Sequence, residues 1–163
     1  MKTNHSLRSS VLVGLLLASH AVFATDATPS NPPAQPIAQV MQEKPFAKQH
    51  IALQITDADA GKQQLLLNVA RNLIKYYGAD NVDLEVVALG PGLRLLLKDN
   101  ALAPQIDALA SDGVRFSACQ NSMQAMEKTL GHPLELIAVA RTTPAGIVRL
   151  YELSKAGYFI DRP

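Results

Sequence analysis

Short apolar runs alternate with helical patterns through residues 48–163, and this alternation constrains the fold more than any other feature of the chain. Strands joined by helices through short connections form βαβ units, and such units build a mainly parallel sheet covered on both faces. The predicted class is therefore α/β. Strands are predicted at 51–55, 82–89, 114–118, 134–140 and 158–160. Helices are predicted at 61–77, 93–98, 104–111, 122–130 and 146–156.

Polar and glycine residues mark the ends of these helices. Asp57 or Asp59 is suited to cap the first helix, and Gly78 to end it. Asn121 or Ser122 is suited to cap the helix over 122–130. In the last helix, helical spacing predicts an inner face formed by three side chains. They are Ile147, Leu150 and Tyr151.

The first 24 residues have the pattern of a secretory signal peptide. Basic residues precede a short apolar stretch, and small residues follow it at a cleavage site. Cleavage is expected after Ala24, with Ala21 as the alternative. The apolar stretch is too short to span a bilayer, although an uncleaved anchor helix is the other interpretation. We therefore expect a periplasmic protein with no membrane segment after cleavage.

Residues 25–47 are rich in proline, and we expect a flexible linker. Proline among Ala, Gln, Ser and Asn favours an extended chain that buries little apolar surface. Apolar residues near its end, such as Val40 and Phe46, leave open a partly ordered end. The folded domain is expected over 48–163.

Composition excludes several classes of protein. The formal net charge is only +1, and aromatic residues make up 5% of the chain, which argues against a nucleic-acid binder. A single cysteine excludes an intramolecular disulfide framework and a multi-cysteine metal cage. His50 and His132 lack ligand spacing, so we expect no metal site. No cofactor is expected either.

Ligands of parallel α/β sheets gather beyond the carboxyl ends of the strands, and Cys119 lies at one of them. It follows the strand over 114–118 and precedes a helix, where free N–H groups and the helix dipole favour an anion. This position lowers the pKa of a thiol and promotes nucleophilic attack on sulfur. The alternative is a buried apolar filler, a common role of lone cysteines.

Three other loops end at the same edge. Gly90 and Gly92 flank Pro91 and are candidates to approach an anion, although a tight strand-to-helix turn is the simpler interpretation. Asp57 and Asp59 are candidates for acid–base chemistry, but helix capping is the simpler interpretation. Arg141 is a candidate to hold an anionic group near Cys119, with a solvated loop residue as the alternative.

Four segments of the domain resemble the DsrE/DsrF-like family, specifically its secreted single-domain branch. They are HIALQITDADAGK, YYGADNVDLEVVALGPGL, GVRFSACQNSM and TPAGIVRLYELSKAGYFIDRP. The resemblance implies a three-layer α/β/α sandwich and assembly into trimers or hexamers. It also places Cys119 on a cysteine that carries sulfur in some members, with Asn121 and Ser122 completing the segment.

Three functions are compatible with these features. The first is a periplasmic persulfide carrier that uses Cys119 together with a sulfur donor or acceptor protein. The second is a homo-oligomeric module that binds a small anion or acts as a scaffold, with residues 93–97 packed between subunits. The third is a redox sensor that forms an intermolecular disulfide. Whether the chain is an enzyme stays open.

Overall fold

A five-stranded parallel sheet forms the centre of the protein, with the strand order β4-β3-β2-β1-β5. The computed structural model describes Met1 and residues 31–163. The predicted signal peptide and residues 25–30 of the predicted linker lie outside the described residues. The strands are β1 (Gln49–Ile55), β2 (Val82–Ala88), β3 (Arg115–Cys119), β4 (Ala140–Thr143) and β5 (Phe159–Asp161). The helices are α1 (Ile37–Glu43), α2 (Ala60–Tyr77), a 3-10 helix (Gly90–Leu96), α3 (Ala103–Ser111), α4 (Gln120–Leu130) and α5 (Gly146–Lys155).

Both faces of the sheet are covered, which confirms the predicted three-layer α/β sandwich. Successive side chains of a strand point to opposite faces, so each strand contributes to two cores. On the α2 side, Ile51 and Leu53 pack with residues of α2 and α3. On the α5 side, Ala52 and Val87 pack with Leu150 of α5.

The order of the strands determines where the helices lie. β1 to β4 follow one another across the sheet, and α2 and α3 contribute to the core of one face. The chain then crosses the other face through α5 and returns to pair β5 with β1. As a result α4 and α5, which follow the adjacent strands β3 and β4, both begin at the same edge of the sheet.

The fourth strand was predicted in the wrong place. It comprises Ala140–Thr143 and not the apolar run over 134–140. That run packs beside the 3-10 helix, where Ile137 N donates to Leu96 O at 3.0 Å and Leu136 pairs with Leu97 in an isolated bridge. The run is apolar because Leu136 and Ile137 are buried, although it forms no strand of the sheet.

The predicted inner face of α5 was also partly wrong. Leu150 is buried, but Ile147 and Tyr151 are each 64% exposed. Arg149 and Leu153 lie inside instead. Arg149 is drawn inward by a buried carboxylate on β2, and this ion pair determines the rotation of the helix.

The described part of the predicted linker is packed against the domain and is not an extended mobile chain. Residues 37–43 form α1, and Val40 is fully buried. Thr142 of β4 donates its N–H to Pro32 O at 2.8 Å and accepts from Ala34 N at 2.7 Å. Backbone pairing with an edge strand and the burial of Val40 together order this segment.

The leucines at 93–97 belong to the core of the same chain. Leu93, Leu95 and Leu96 are fully buried, so the prediction that this stretch packs between subunits is wrong. Within residues 31–163, none of the helices has the length and hydropathy needed to cross a bilayer.

Candidate functional site

Cys119 lies where β3 ends and α4 begins, at the carboxyl edge of the parallel sheet. It is the last residue of β3 and the N-cap of α4. The helix therefore starts earlier than predicted, and Asn121 and Ser122 lie within its first turn instead of capping it. The residue is 4% exposed. A thiol in this position is adjacent to the free N–H groups that a helix start presents.

A second helix begins beside the same thiol. Cys119 pairs in register with Thr143 of β4, and α5 starts three residues later at Gly146. Asn121 N donates to Pro144 O at 3.3 Å, which joins the two helix starts. The amino ends of α4 and α5, on opposite faces of the sheet, thus converge on one sulfur atom.

The surroundings of Cys119 favour the ionised form of its thiol. Burial alone would raise the pKa of the thiol, because the thiolate loses hydration. The hydroxyl of Ser122 and the backbone N–H groups of Gly146, Ser122 and Asn121 outweigh burial and lower the pKa below its ordinary value. Asn121 acts here through its backbone N–H, and the residue is exposed.

Ser122 connects the thiol to the loop after β2. Its hydroxyl oxygen accepts the N–H of Gly90 at 2.7 Å, and the same hydroxyl helps to lower the pKa of the Cys119 thiol. Gly90 has a φ of 55°, a left-handed conformation that glycine adopts without strain. Ser122 therefore lies beside the thiol, and Gly90 binds its hydroxyl oxygen.

Gly92 has a structural role. A Cβ at this position would lie 2.3 Å from the carbonyl oxygen of Ile55, at the end of β1. The Gly92 N–H donates to Leu89 O at 3.2 Å. Since the N–H groups of Gly90 and Gly92 are both used within the protein, the tight-turn interpretation fits better than an anion site.

Gly146 is a site residue that sequence reasoning treated only as a helix start. A Cβ there would lie 3.0 Å from Leu89 Cβ and 3.2 Å from Cys119 Cβ. The absence of a side chain lets the first turn of α5 approach the thiol. The Pro144-Ala145-Gly146 sequence after a strand was the available signal, but only the adjacency of β3 and β4 reveals its role.

Arg141 is not brought to Cys119. It lies within β4, paired with Ser117, two residues before the register partner of Cys119. Its side chain lines a cavity of about 530 Å³ at the amino ends of the strands, together with Lys44 and Arg115. The misplaced fourth strand accounts for this difference, because Arg141 was expected in a loop.

The remaining polar candidates have structural partners. Asp59 caps α2 by accepting the N–H of Lys62 at 2.9 Å, which confirms the capping interpretation. Asp57 forms ion pairs with Lys62 and Arg162, and they hold the pKa of its carboxyl below its ordinary value. No group of three or more His, Cys, Asp or Glu side chains suited to hold a metal ion occurs among the described residues.

Comparison with known proteins supports the resemblance found in the sequence. The sequence model of the DsrE/DsrF-like family matches residues 49–160. The fold is similar to that of MTH1491 from Methanobacterium thermoautotrophicum, with a TM-score of 0.65 and 26% identity over 71% of this chain and 100% of that chain. It is also similar to the YchN protein of E. coli, with a TM-score of 0.55 and 17% identity over 71% of this chain and 99% of that chain. At that identity the second likeness concerns the fold alone. No curated protein matches the chain.

Proposed function

The chain belongs to the DsrE/DsrF-like family, and on that premise we propose that it handles sulfur through Cys119. Cys119 accepts sulfane sulfur as a persulfide and passes it to a partner protein. The observation that carries the proposal is the convergence of the amino ends of α4 and α5 on Cys119. They stabilise the thiolate both as the attacking group and as the group that leaves when the sulfur is passed on.

The transfer is a thiol exchange without net oxidation or reduction. The Cys119 thiolate attacks the outer sulfur of a donor persulfide. A new S–S bond forms on Cys119, the S–S bond of the donor breaks, and the donor leaves as a thiolate that takes up the proton. Delivery repeats the step with an acceptor thiolate. Because the chain has one cysteine, the acceptor is another molecule.

The low exposure of Cys119 limits the donor. Only 4% of the residue is exposed, which favours a slender terminal sulfur on a polysulfide or on an extended cysteine. Of the two residues that follow Cys119, Gln120 is half-buried and Asn121 is exposed. The side chain of Gln120 donates Nε2 to Thr142 Oγ1 at 3.2 Å. These two residues form the rim across which the donor approaches.

Intact mass spectrometry tests this function. Wild type and Cys119→Ser are incubated with inorganic polysulfide and then with cyanide, which removes sulfane sulfur. We expect wild type to gain the mass of one sulfur atom and lose it to cyanide, while the serine variant gains nothing. The proposal fails if wild type keeps a reduced, unmodified thiol.

Export to the periplasm remains part of the proposal. The support is the pattern of basic, apolar and small residues over 1–24. Cell fractionation followed by amino-terminal sequencing of the purified protein tests it. We expect a periplasmic protein that begins at Thr25, and a cytoplasmic protein that retains residues 1–24 would contradict the assignment.

A second candidate function is a homo-oligomeric scaffold, and the outer face of α5 favours it. Ile147 is 64% exposed, Val148 51% and Tyr151 64%. An exposed apolar face of this kind is typical of an interaction surface. Light scattering on wild type, Cys119→Ser and Ile147→Ser/Tyr151→Ser tests for a trimer or hexamer. A scaffold without sulfur chemistry predicts two results. Wild type and Cys119→Ser form the same oligomer while Ile147→Ser/Tyr151→Ser does not, and wild type acquires no persulfide.

A further inference from the structure

A buried ion pair joins the middle of the sheet to α5. Arg149 donates Nε to Oε1 of Glu85 and Nη2 to Oε2, both at 2.8 Å. Glu85 is fully buried and Arg149 is 3% exposed. A two-pronged guanidinium–carboxylate contact fixes both distance and orientation. The pair therefore holds α5 against β2 in a single arrangement.

The same two residues hold other elements of the structure. Ser117 of β3, two residues before Cys119, donates its hydroxyl to Glu85 Oε1 at 2.7 Å. Arg149 also donates Nη1 to the carbonyl oxygen of Gln35 at 2.8 Å. The ion pair thus connects β2, β3 and α5 with the amino-terminal segment. Its contact with β3 is two residues before the thiol.

Arg149 lies one helical turn after Gly146. Because a helix turn is rigid, the position of Arg149 affects the direction of the Gly146 N–H, which lies beside Cys119 and helps to lower the pKa of its thiol. The helix start has little freedom there, since even a Cβ on Gly146 would crowd Leu89 and Cys119. A small displacement of this turn would move the Gly146 N–H away from the sulfur and weaken its effect on the thiol.

The charge of Arg149 is balanced within the network. Arg115 donates Nε to Glu85 Oε2 at 3.2 Å and pairs with Asp83 through Nη1. Tyr158 donates its hydroxyl to Asp83 at 2.6 Å. His50 Nδ1 lies 3.9 Å from Asp83 Oδ2, so the titratable and charged groups of this network are two carboxylates, a second arginine, a phenol and an imidazole. Because the charges of the two arginines and the two carboxylates cancel, this network acts on the thiol by positioning α5 more than by its net charge.

We propose that Arg149 is a positioning residue of the thiol site. By binding Glu85 and Gln35, it holds the first turn of α5, and with it the Gly146 N–H, beside Cys119. The proposal rests on the proposed function only in taking Cys119 as the reacting atom. It concerns the protein without any sulfur donor.

Nuclear magnetic resonance tests the proposal without requiring access to the thiol. The chemical shift of Cys119 Cβ follows ionisation of the sulfur, and the Gly146 amide reports its hydrogen bond. Both are recorded against pH for four proteins. They are wild type, Arg149→Lys, Glu85→Gln/Arg149→Met and Leu109→Ala. Arg149→Lys keeps the positive charge but cannot form the two parallel hydrogen bonds of a guanidinium. The double variant removes the charges of both Glu85 and Arg149. Neither variant therefore leaves a buried, unpaired carboxylate at position 85.

The expected result is an upward shift of the Cys119 midpoint by about half to one pH unit in both Arg149 variants. The Gly146 amide loses its pH-dependent step in the same variants. Leu109→Ala loosens the core on the α2 side, where Leu109 is buried, and keeps the wild-type midpoint. An unchanged midpoint in both Arg149 variants, or an equal shift in Leu109→Ala, overturns the proposal. A failed polysulfide experiment would leave this result standing, which separates the two proposals.

Discussion

The hydroxyl oxygen of Ser122 lies 2.7 Å from the backbone nitrogen of Gly90, across the carboxyl edge of the sheet. This bond joins the loop after β2 to the first turn of α4. It also fixes the position of the hydroxyl oxygen, and this hydroxyl helps to lower the pKa of the Cys119 thiol. The reactivity of the thiol therefore depends on a backbone group of another loop.

Replacing Ser122 with alanine is expected to raise the pKa of the Cys119 thiol by about one unit, because one donor is lost. The free energy of unfolding should fall by about 1–2 kcal/mol, since the half-buried Gly90 N–H loses its partner. Thiol titration and urea unfolding measure the two effects. Ser122→Thr keeps the hydroxyl and serves as the control. An unchanged pKa in the alanine variant would show that the hydroxyl is not directed at sulfur.

The two glycines after β2 should respond differently to alanine. Gly92→Ala places a Cβ 2.3 Å from Ile55 O, so the backbone must move, with an expected loss of about 3 kcal/mol. Gly90→Ala meets no atom within 4 Å, and its φ of 55° costs about 1–2 kcal/mol. Chemical unfolding of the matched pair measures the difference. Equal losses would contradict the close approach of Gly92 to β1.

Acid should destabilise the protein partly through Glu85. Burial would raise the pKa of this carboxyl, but its bonds to Arg149, the charge of Arg115 and the hydroxyl of Ser117 hold it below the ordinary value of 4.5. Stability from this group is present above pH 4.5 and is lost as pH falls through the lower folded-state pKa.

Glu85→Gln should therefore unfold with a shallower dependence on acid pH. At neutral pH it should lose about 3 kcal/mol, because two buried arginines lose a charge partner. Glu135→Gln is the control, since its ion pair with Lys98 is 70% exposed on both sides and contributes little. Thermal unfolding between pH 3 and 7 compares the two variants with wild type. Parallel curves for Glu85→Gln and wild type would rule out this role.

Because the amino-terminal segment packs against the domain, its neighbouring residues Val40 and Met41 should contribute differently to the free energy of unfolding. Val40 is fully buried and Met41 is 38% exposed. Val40→Ala should lower the free energy of unfolding by about 2 kcal/mol through lost burial and a residual cavity. Met41→Ala should change it by less than about 0.5 kcal/mol. Equal, negligible effects in urea unfolding would indicate a segment detached from the domain in solution.

Local patterns were sufficient to predict the sheet, four of its five strands and the position of Cys119. Apolar runs bounded by glycine and polar residues locate buried strands and their ends. The general rule for parallel sheets then directs attention to the strand ends. The thiol was identified in this way because its place depends on one strand and one helix that are adjacent in sequence.

The donors around the thiol depend on contacts that are distant in sequence. Gly146 reaches Cys119 only because β4 lies next to β3, and strand order is not encoded in any local pattern. Arg149 was not among the residues predicted for the inner face of α5, since charged residues are seldom buried without a partner. Its partner Glu85 is 64 positions away, so neither sequence segment alone indicates the pair.

The edges of the sheet constrain how copies of this protein can associate. On one side, β4 pairs with the short stretch around Pro33, whose proline has no N–H to offer a further strand. On the other side, β5 has three residues and is followed by Pro163. Such edges are poor templates for strand addition and protect against aggregation. Self-association of the described part of the chain is therefore expected through helix faces and not through a continuous intermolecular sheet.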